Sequence, residues 1–337
     1  MIEPRLLAIL ECPRDHSALR VEGGTLCCDR GHRYPVVDGI PVFLLAEKAA
    51  TIDIAAASLA AAENGTGGPL YLETLGLSDD ERRGIEKDWG KSGKIDAAIS
   101  YLIGATSGLA YVNLIGRLQD YPIPEIPIDR GNGGLLLDIG SNWGRWSLAA
   151  ARKGWSVIGI DPSLGALMAA RRAFAASEPK LAFVCGDARH LPFKRETFSG
   201  AFSYSVLQHF SEADAEAAIA EVGRVLARGG FAKIQMAHAG GLRSRYMRGR
   251  DDRNAGGFRV RYWPLSAMRA VFEKQIGPCK LIAEAFGGLG LLPEDRKYMH
   301  GKNRLLITIS TWLKQLARMA RPLIRLADSV YVVATKR

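Results

Sequence analysis

The sequence predicts an α/β fold in which a doubly wound, mostly parallel, seven-stranded sheet carries helices on both faces. Between residues 133 and 237, short apolar runs alternate with segments of helical periodicity, and that alternation is typical of a parallel sheet covered on both sides. A glycine-rich turn, Asp138 to Gly144, separates the first apolar run from the first helix. In sheets of this kind, the first strand-to-helix turn is where a cofactor approaches the backbone.

The elements of the sheet domain follow from apolar runs and capping residues. Strands are predicted at 135–139, 156–160, 181–185, 198–203, 231–236, 280–286 and 329–334, the last of them as an edge strand. Helices are predicted at 146–153, 165–176, 264–274 and 303–326. One more helix begins at Ser211, because Asp214 completes a capping-box pattern with it, and ends at Gly229-Gly230.

Three segments that differ in composition and in secondary-structure pattern indicate the domain organisation. Residues 1–45 have short-strand and turn patterns and form a small β-rich, ribbon-like segment. Residues 46–130 form a helical lid or linker, with helices near 49–62, 78–88, 94–104 and 107–119. Residues 131–337 form the sheet domain, with insertions at 240–263 and 287–327.

The bulk composition is that of a globular protein. Of the 337 residues, 47% are hydrophobic and 24% are charged, which is ordinary for a soluble domain. The longest apolar runs fall short of the roughly 20 residues that cross a bilayer, so no transmembrane segment is expected. Because Met1 to Arg5 lacks the pattern of a signal peptide and the cysteine count of five is odd, we expect a cytoplasmic protein in a reducing compartment.

The net charge of +10 is concentrated in the C-terminal third. Residues 240–337 have 20 Lys and Arg against 7 Asp and Glu, whereas the residues before them have 25 against 28. This asymmetry favours contact with an acidic ligand or surface through the C-terminal third. A solvated basic face that aids solubility explains the bias equally well.

Three carboxylates follow three successive predicted strands. Asp138 ends the first strand directly before the glycines, Asp161 ends the second, and Asp187 follows the third. Asp138 would repel a pyrophosphate and suits a cationic amino group, which favours S-adenosylmethionine over a nicotinamide cofactor. At the other two positions, carboxylates can accept hydrogen bonds from ribose hydroxyls and from an adenine amino group. The alternative is a structural domain in which these acids only cap loops.

The stretch 135–236 resembles the class I S-adenosylmethionine-dependent methyltransferases of the ubiquinone and menaquinone C-methylase group. Four motifs carry the resemblance: Leu137-Asp-Ile-Gly-Ser-Asn-Trp-Gly144, Gly159-Ile-Asp-Pro162, Gly186-Asp-Ala188 and Phe198-Ser-Gly-Ala-Phe-Ser-Tyr-Ser-Val-Leu-Gln-His209-Phe210. It implies a Rossmann-like methyltransferase fold and an enzyme that uses S-adenosylmethionine. The cofactor-binding residues that it implies are Asp138, Gly140, Ser141, Asn142, Gly144, Asp161, Pro162, Asp187, Ala188 and Ser205.

Two residues depart from the family's usual pattern. Asn142 stands at the middle glycine of the first motif, where a residue that tolerates a left-handed φ can serve. Ser199 stands where an acid usually follows Phe198, a position of packing at the strand start. We therefore expect a slightly different loop shape and no loss of catalysis.

The candidate catalytic residue is His209, which follows the fourth strand. Methyl transfer from a sulfonium needs mainly alignment, and a general base only where the nucleophile must lose a proton. A near-neutral imidazole can be that base. The alternative is that Gln208-His209-Phe210 is a structural corner shared by relatives with unrelated substrates. Weaker candidates are Tyr204, His190 and His238.

Both predicted insertions are basic and lie where this fold shapes substrate specificity. The candidates for holding a phosphate or carboxylate are Arg243, Arg245, Arg248, Arg250, Arg259 and Arg261. The helix 303–326 has apolar side chains on one side, at positions 306, 309, 313, 316, 319 and 323. It either lies on a membrane surface beside a lipid-linked substrate or covers the core or a partner.

Cys12 and Asp15, followed by Cys28 and His32, have the spacing of a zinc ribbon, in which two knuckles supply four ligands. Together with Tyr34-Pro-Val-Val-Asp-Gly-Ile-Pro41, they make this segment similar to the zinc-ribbon-like partners of tRNA methyltransferases and to the zinc-binding N-terminus of rRNA guanine-N1 methyltransferases. Asp15 stands where the latter have a second cysteine, and the alternative ligands are His16 and Cys27. A metal-free relic held by its strands is the other open interpretation.

Three hypotheses for the function follow. The first, which we adopt, is an enzyme that methylates a small-molecule or lipid-linked, anionic acceptor, with peripheral membrane contact as one option. The second is an rRNA or tRNA methyltransferase that grips nucleic acid with the ribbon and the basic C-terminal third. A pI of about 9.4 favours the second hypothesis. The end of the fourth motif, Val206 to Phe210, favours the first, because it resembles that of methyltransferases with small-molecule acceptors. The third is a non-catalytic binder, against which the complete set of three acids argues.

Overall fold

A computed structural model describes residues 2–50, 52–65, 78–88, 95–106, 111, 114–174, 177–178, 180–247, 260–288 and 292–337. They divide into two units, Met1–Thr197 and Phe198–Arg337. The first unit contains the ribbon-like segment, the helices that follow it and three strands of the main sheet. The second contains the remaining strands and the C-terminal helices.

The N-terminal segment is a small antiparallel ribbon. Its elements are α1 (Pro4–Leu7), β1 (Leu19–Glu22), β2 (Thr25–Cys28), β3 (Arg33–Tyr34), β4 (Val36–Val37) and β5 (Ile40–Pro41). β1, β2 and β3 form one sheet in that order, and β4 pairs with β5. The turn from β1 to β2 uses Gly23 and Gly24, both at positive φ, which glycine adopts without strain. The β-rich ribbon predicted from the sequence is present.

Between the ribbon and the main sheet, the residues that the structure describes form three helices: α2 (Asp53–Asn64), α3 (Asp79–Asp88) and α4 (Ala97–Thr106). They match the predictions near 49–62, 78–88 and 94–104. The helix predicted at 107–119 lies partly outside the described residues, and within the described part residues 115–117 form a turn instead. Gly116 in this turn has a φ of 69°, a conformation that favours a turn over a helix.

In the first unit, three parallel strands of the main sheet lie in the order β6 (Leu135–Ile139), β7 (Ser156–Asp161) and β8 (Leu181–Cys185). Helix α5 (Arg145–Arg152) connects β6 to β7, and helix α6 (Leu164–Phe174) connects β7 to β8. The strands are buried along nearly their whole length, as expected for parallel strands covered on both faces. The bounds of β6 and β8 are the predicted ones.

The ribbon is joined to β8 and to the loop after it by backbone hydrogen bonds. The Phe43 amide donates to the Cys185 carbonyl at 2.7 Å, and the Glu11 amide donates to the Pro192 carbonyl at 3.0 Å. Phe43 and Leu10 are buried. The ribbon therefore shares the hydrophobic core of the first unit and is held against it in a defined register.

The described residues of the second unit form four strands and four helices. The strands are β9 (Phe198–Ser203), β10 (Leu226–Ala237), β11 (Cys279–Ala285) and β12 (Ser329–Thr335). The helices are α7 (Glu212–Val225), α8 (Leu242–Met247), α9 (Leu265–Gln275) and α10 (Gly301–Met319), and 3₁₀ helices span Leu207–His209, Pro293–Tyr298 and Arg321–Leu326. β10 is parallel to β9, and β12 is antiparallel to β10 and β11. The strands β6 to β12 make one seven-stranded sheet, which confirms the predicted doubly wound α/β fold.

The prediction that the last strand is an edge strand is wrong. β12 lies between β10 and β11, and pairs with both of them. Most of its residues are buried, which explains why the run Val330 to Ala334 is continuously apolar. The outer strand on this side is β11.

Two predicted helix ends are also wrong. Ser211 does cap α7, since its hydroxyl accepts a hydrogen bond from the Asp214 amide at 3.1 Å, but α7 ends at Val225 because Leu226 already begins β10. The predicted helix 303–326 ends at Met319, and the 3₁₀ turn after it contains a proline at its start, which cannot donate an α-helical hydrogen bond. Within the described ranges, no helix is both long and apolar enough to cross a membrane.

Candidate functional site

The turn between β6 and α5 is built from residues in left-handed conformations. Gly140, Asn142 and Gly144 have φ values of 72°, 45° and 82°. The Asn142 side-chain oxygen accepts a hydrogen bond from the Trp143 amide at 2.8 Å, which stabilises a conformation that asparagine tolerates better than most residues. The left-handed φ predicted for Asn142 is therefore present.

Asp161, at the end of β7, holds this turn in place. Its two carboxylate oxygens accept hydrogen bonds from the backbone amides of Asn142 and Ser163, both at 2.9 Å. The side chain is buried, and burial raises its pKa to about 6. Because each carboxylate oxygen has two lone pairs, it can still accept hydrogen bonds from the hydroxyls of a ribose.

Asp138, near the end of β6, is the more deeply buried acid, with 1% of its surface exposed. The Ser147 hydroxyl donates to its Oδ2 at 2.6 Å. Burial raises the pKa of Asp138 to about 7, and the charge of nearby Asp161 adds to the shift. A positively charged ligand would favour the ionised form of both carboxyls and so bind more tightly than a neutral one.

Ser141 adds a polar group to the same turn. Among the described residues, its buried hydroxyl has no hydrogen-bond partner. The Ser141 side chain packs over Gly159 of β7. A Cβ atom on Gly159 would lie 2.7 Å from the Ser141 hydroxyl oxygen, so any larger residue at position 159 would displace the serine side chain. A buried hydroxyl without a partner costs about 1–3 kcal/mol, and a polar ligand in the turn would recover that energy. The turn thus fits the amino-acid end of S-adenosylmethionine.

The ends of β7 and β8 lie side by side next to the turn. The Gly186 amide donates to the Asp161 carbonyl at 3.1 Å, and the Cys185 thiol lies 3.6 Å from the Pro162 carbonyl oxygen. The first unit therefore brings together all of the predicted cofactor residues except Ser205, which belongs to the second unit.

A cavity of about 230 Å³ lies beside Asp187. It is lined mainly by apolar residues between 44 and 60, and its polar lining residues are Lys48, Glu63, Asp187 and His190. A mostly apolar lining with a few polar groups suits a flat aromatic ring. The Asp187 carboxylate already accepts hydrogen bonds from the Arg189 amide at 2.8 Å and from its Nη2 at 2.6 Å. A contact with adenine would therefore use the remaining lone pairs of Asp187.

In the second unit, Ser205 and His209 lie in a hydrogen-bonded corner after β9. Ser205 has a φ of 62°, and its amide donates to Gln235 Oε1 at 2.9 Å. Gln208 Nε2 donates to the Ser205 hydroxyl at 2.7 Å and lies 3.4 Å from His209 Nε2. The Arg261 guanidinium donates to the His209 carbonyl at 2.6 Å. These contacts hold a left-handed serine in place and fix the backbone that carries the half-buried His209.

The weaker histidine candidates differ in their surroundings. His238 is 5% exposed, and its Nδ1 lies 2.8 Å from the Ala327 carbonyl oxygen. This histidine is a satisfied core residue. His190 lines the cavity beside Asp187 in the first unit.

Sequence reasoning missed one acid of the second unit, Glu284, which lies one residue before the end of β11 and is 6% exposed. The Tyr204 hydroxyl donates to its Oε1 at 3.3 Å, and Lys314 Nζ lies 3.5 Å from its Oε2. Burial raises the pKa of Glu284, while the Lys314 charge and the hydrogen bonds oppose the rise. β11 is parallel to β10, so Glu284 lies at the carboxyl edge of these strands, where ligands bind in this fold. A single acid in an apolar strand was the available signal.

The basic candidates of the first insertion are only partly described. Arg243 and Arg245 are exposed on α8, and Arg261 is bonded to the corner after β9. Asp328 holds α8 in place, because its Oδ1 accepts hydrogen bonds from the amides of Arg243 and Ser244 at 2.7 and 2.8 Å. The remaining three lie outside the described residues: Arg248, Arg250 and Arg259.

The ribbon brings Cys12, Asp15, Cys28 and His32 together, and one ligand atom of each lies within 4.8 Å of the others. Both sulfurs are 3.4 Å from His32 Nδ1, and Asp15 Oδ2 is 3.3 Å from it. In a tetrahedral zinc site with bonds of about 2.0–2.3 Å, ligand atoms are roughly 3.3–3.8 Å apart. The spacing of the four side chains therefore fits a tetrahedral metal.

Asp15 is suited to replace the cysteine that this ribbon lacks. Its Oδ1 accepts hydrogen bonds from the Ser17 amide and hydroxyl at 3.0 and 2.5 Å, which leaves Oδ2 for the cluster. These bonds hold the pKa of Asp15 well below its usual range, so the carboxylate is ionised. The alternative ligands lie elsewhere: His16 Nδ1 is 2.7 Å from the Glu11 carboxylate, and Cys27 points to the opposite face of β2 from its neighbour Cys28.

Two family models match parts of the chain. Residues 136–230 match the family model described as a methyltransferase domain, and residues 3–39 match the model described as Trm112p-like protein. The first match includes the glycine-rich turn and the three acids, and the second includes the four clustered side chains of the ribbon.

Three relatives extend these matches. The biotin biosynthesis bifunctional protein BioHC of Cellvibrio japonicus is 31% identical over 51% of this chain and 30% of that protein. A demethylmenaquinone methyltransferase of Thermobifida fusca is 36% identical over 31% of this chain and 43% of that protein. The chain thus spans less than half the length of both. A UPF0434 protein of Vesicomyosocius okutanii is 43% identical over 16% of this chain and 90% of that protein.

Proposed function

Because the chain belongs to the class I S-adenosylmethionine-dependent methyltransferases, with a segment of the UPF0434 family at its N-terminus, we propose that it methylates a small-molecule or lipid-linked, anionic acceptor. The observation that carries the cofactor assignment is the left-handed turn closed over two buried carboxyls, Asp138 and Asp161. The name of the Thermobifida fusca relative states a small-molecule acceptor, demethylmenaquinone, which supports this class over nucleic acid.

In this proposal the first unit holds the cofactor, which when bound supplies a methyl group on a positively charged sulfur. Asp138 and the Ser141 hydroxyl bind its amino-acid end, and Asp161 accepts hydrogen bonds from the ribose. Asp187 and Ala188 border the adenine beside the apolar cavity. Gly140, Asn142 and Gly144, all at positive φ, shape the backbone around it, and Pro162 follows Asp161 directly. Ser205 of the second unit is a further proposed cofactor contact.

The second unit acts on the acceptor in this proposal. His209 removes a proton where the nucleophile is an alcohol, phenol or carbon acid. Glu284 and Tyr204, joined at 3.3 Å, orient the acceptor at the carboxyl edge of the strands. The exposed arginines of α8, Arg243 and Arg245, attract its anionic group.

Binding of radiolabelled S-adenosylmethionine to the wild type and to Asp161→Ala tests the cofactor assignment. We expect at least about a hundredfold loss of affinity, because the variant loses both the ribose contacts and the bonds that hold the turn. Asp129→Ala, which removes an exposed carboxylate of the same unit, is the control. Equal binding by all three proteins would overturn the assignment.

Methylation of rRNA or tRNA is the second candidate function. The match of residues 3–39 to the Trm112p-like proteins and the basic C-terminal third favour it, since the basic third would supply cationic contacts to phosphates. If purified protein shows no salt-dependent binding to ribosomal or transfer RNA at low salt, this candidate is rejected. Label transferred from the cofactor to an RNA fraction of a cell extract would instead reject the small-molecule acceptor.

We further propose that the ribbon binds one zinc ion through Cys12, Asp15, Cys28 and His32, whose ligand atoms have the spacing given above. Elemental analysis should find zinc in freshly purified wild type and not in Cys28→Ser. The matched control is Cys27→Ser, which removes the adjacent buried thiol and should keep the metal. Wild-type protein without zinc would mean that the ribbon is a metal-free relic.

The proposed domain organisation has a zinc-ribbon-like segment at 1–45, a helical lid or linker at 46–130, and a methyltransferase domain at 131–337 with insertions at 240–263 and 287–327. Limited proteolysis should cut within the linker and the insertions before it cuts the strands; early cleavage inside the ribbon would contradict these boundaries.

We also propose a cytoplasmic location, which the five cysteines without disulfides support. Cell fractionation tests it.

A further inference from the structure

Helix α10 presents a stripe of large apolar side chains to solvent. Its members and their exposed fractions are Leu305 (62%), Ile309 (47%), Trp312 (67%), Leu316 (39%) and Met319 (86%). They are spaced alternately four and three residues apart, so at 3.6 residues per turn they lie within a sector of about 80°. Single exposed apolar residues are ordinary, but a continuous stripe of this length marks an interaction surface.

The opposite face of α10 is fixed to the second unit. Ile307 is 3% exposed, and the Ser310 hydroxyl accepts a hydrogen bond from the Phe286 amide at 3.0 Å. Lys314 on this face pairs with Glu284. The stripe therefore cannot turn inward without breaking these contacts.

The charged residues of α10 and of the turn after it are all basic. Residues 301–326 contain six Lys and Arg and no Asp or Glu. Those that are exposed are Lys302, Arg304, Arg318, Arg321 and Arg325. A helix with Trp, Leu and Ile on one side and Lys and Arg beside them is typical of helices that lie in the interface of an anionic membrane.

A second, shorter helix beside α10 has the same character. On α8, Leu242 and Tyr246 are 52% and 61% exposed, and Arg243 and Arg245 are exposed between them. A Cβ atom on Gly288 would lie 3.3 Å from Arg243 Nη1 and 3.9 Å from a carbon of Leu306 on α10. The two helices are therefore neighbours in the second unit.

We propose that α10, with α8 beside it, docks this protein on the surface of an anionic lipid bilayer. The exposed stripe would enter the headgroup and upper acyl region, with the arginines and Lys302 near lipid phosphates. A second copy of the chain fits less well, because two stripes face to face would bring two sets of basic residues together. This inference specifies the partner surface that a lipid-linked acceptor would require, and it does not depend on cofactor binding.

The test is co-sedimentation of the full chain with vesicles of equal parts phosphatidylcholine and phosphatidylglycerol, against vesicles of phosphatidylcholine alone. We expect binding to the anionic vesicles that weakens with salt. Trp312→Glu combined with Leu316→Glu should weaken it by at least about tenfold, because two charges enter the apolar face. Gln315→Glu, which adds a charge at an exposed position of the same helix off the stripe, should lose much less, about threefold at most.

Three results would overturn the proposal: no sedimentation with anionic vesicles, equal binding by the double variant, or a dimer in light scattering that the double variant dissolves. The third would assign the stripe to a second copy. Since both substitutions are at exposed sites, the melting temperature of the variant should match the wild type and confirm that it folds. S-adenosylmethionine binding by the double variant separates the two proposals, because it should be unchanged even if lipid binding is lost.

Discussion

The glycine-rich turn of the first unit and helix α10 of the second depart from the usual pattern of burial in opposite directions. The turn encloses two carboxyls, Asp138 and Asp161, away from water, whereas α10 leaves five large apolar side chains in water. Both arrangements are unfavourable in the free protein. Each becomes favourable when the right partner arrives, a cation at the turn and an apolar surface at α10. Buried carboxyls and exposed apolar side chains therefore indicate two binding sites of different chemistry, one for a cation and one for an apolar surface.

The largest expected effect comes from Asp138→Asn, which keeps the shape of the side chain and removes its charge. Because the carboxyl has a pKa of about 7 in the fold, its ionisation at about pH 8 costs roughly 2–4 kcal/mol that the amide would not. We expect the variant to be more stable to urea and to bind S-adenosylmethionine at least about a hundredfold more weakly. A variant that is less stable than the wild type and binds the cofactor normally would contradict the idea that the buried charge costs stability and serves binding. Asp129→Asn serves as the control.

Next in size is the contrast between the two faces of α10. Ile307→Ala removes a buried side chain and should lower the free energy of unfolding by about 2–4 kcal/mol. Trp312→Ala, on the exposed stripe, should change it by no more than about 0.5 kcal/mol. Urea denaturation of both variants measures the difference. Similar losses in the two would mean that the stripe already has a partner within the protein.

A pH dependence of about tenfold is expected in cofactor affinity. Both carboxyls have raised pKa values, about 7 and about 6, so their contribution to the stability of the free protein is present below about pH 4 and is lost as pH rises towards 7. A cationic cofactor prefers the ionised carboxyls, so its affinity should rise between about pH 5.5 and 8. Binding titrations measure it, and methylthioadenosine, which lacks the amino group, should show a smaller rise. Equal slopes for both ligands would contradict the role of Asp138.

The smallest expected effect is that of Glu284→Gln. This variant keeps a hydrogen-bond acceptor for Tyr204 but loses the charge that faces Lys314. Label transfer into the acceptor fraction of a cell extract should fall by about three- to tenfold, while binding of labelled cofactor stays unchanged. Loss of cofactor binding would move Glu284 from the acceptor side to a structural role.

Much of the first unit could be predicted from the sequence, because its features are local. The bounds of β6 and β8 follow from uninterrupted apolar runs, and the left-handed Asn142 follows from one position in a short motif. The cluster of Cys12, Asp15, Cys28 and His32 also follows from spacing, although only folding shows that His16 is engaged by Glu11 instead.

The second unit was less predictable, because its features depend on pairings distant in sequence. The central place of β12 requires its partner β10, about a hundred residues earlier. Along α10 the periodicity predicts an apolar side, but both sides are apolar, and Ile307 rather than Ile309 is the buried one. Periodicity cannot say which side meets the core. Glu284 was missed for the same reason, since Lys314 joins it from another element.

The backbone hydrogen bond between Phe43 and Cys185 has a consequence for how the protein aggregates. β8 is the outer strand at one end of the seven-stranded sheet, and an open strand edge is a template for pairing with other chains. Val42 forms a parallel bridge with Cys185, and the Phe43 amide donates a hydrogen bond to the Cys185 carbonyl. The ribbon therefore covers the end of that edge. Removal of the proposed zinc ion, or loosening of the ribbon's strands, would uncover this edge. We then expect the protein to aggregate before it loses methyltransferase activity.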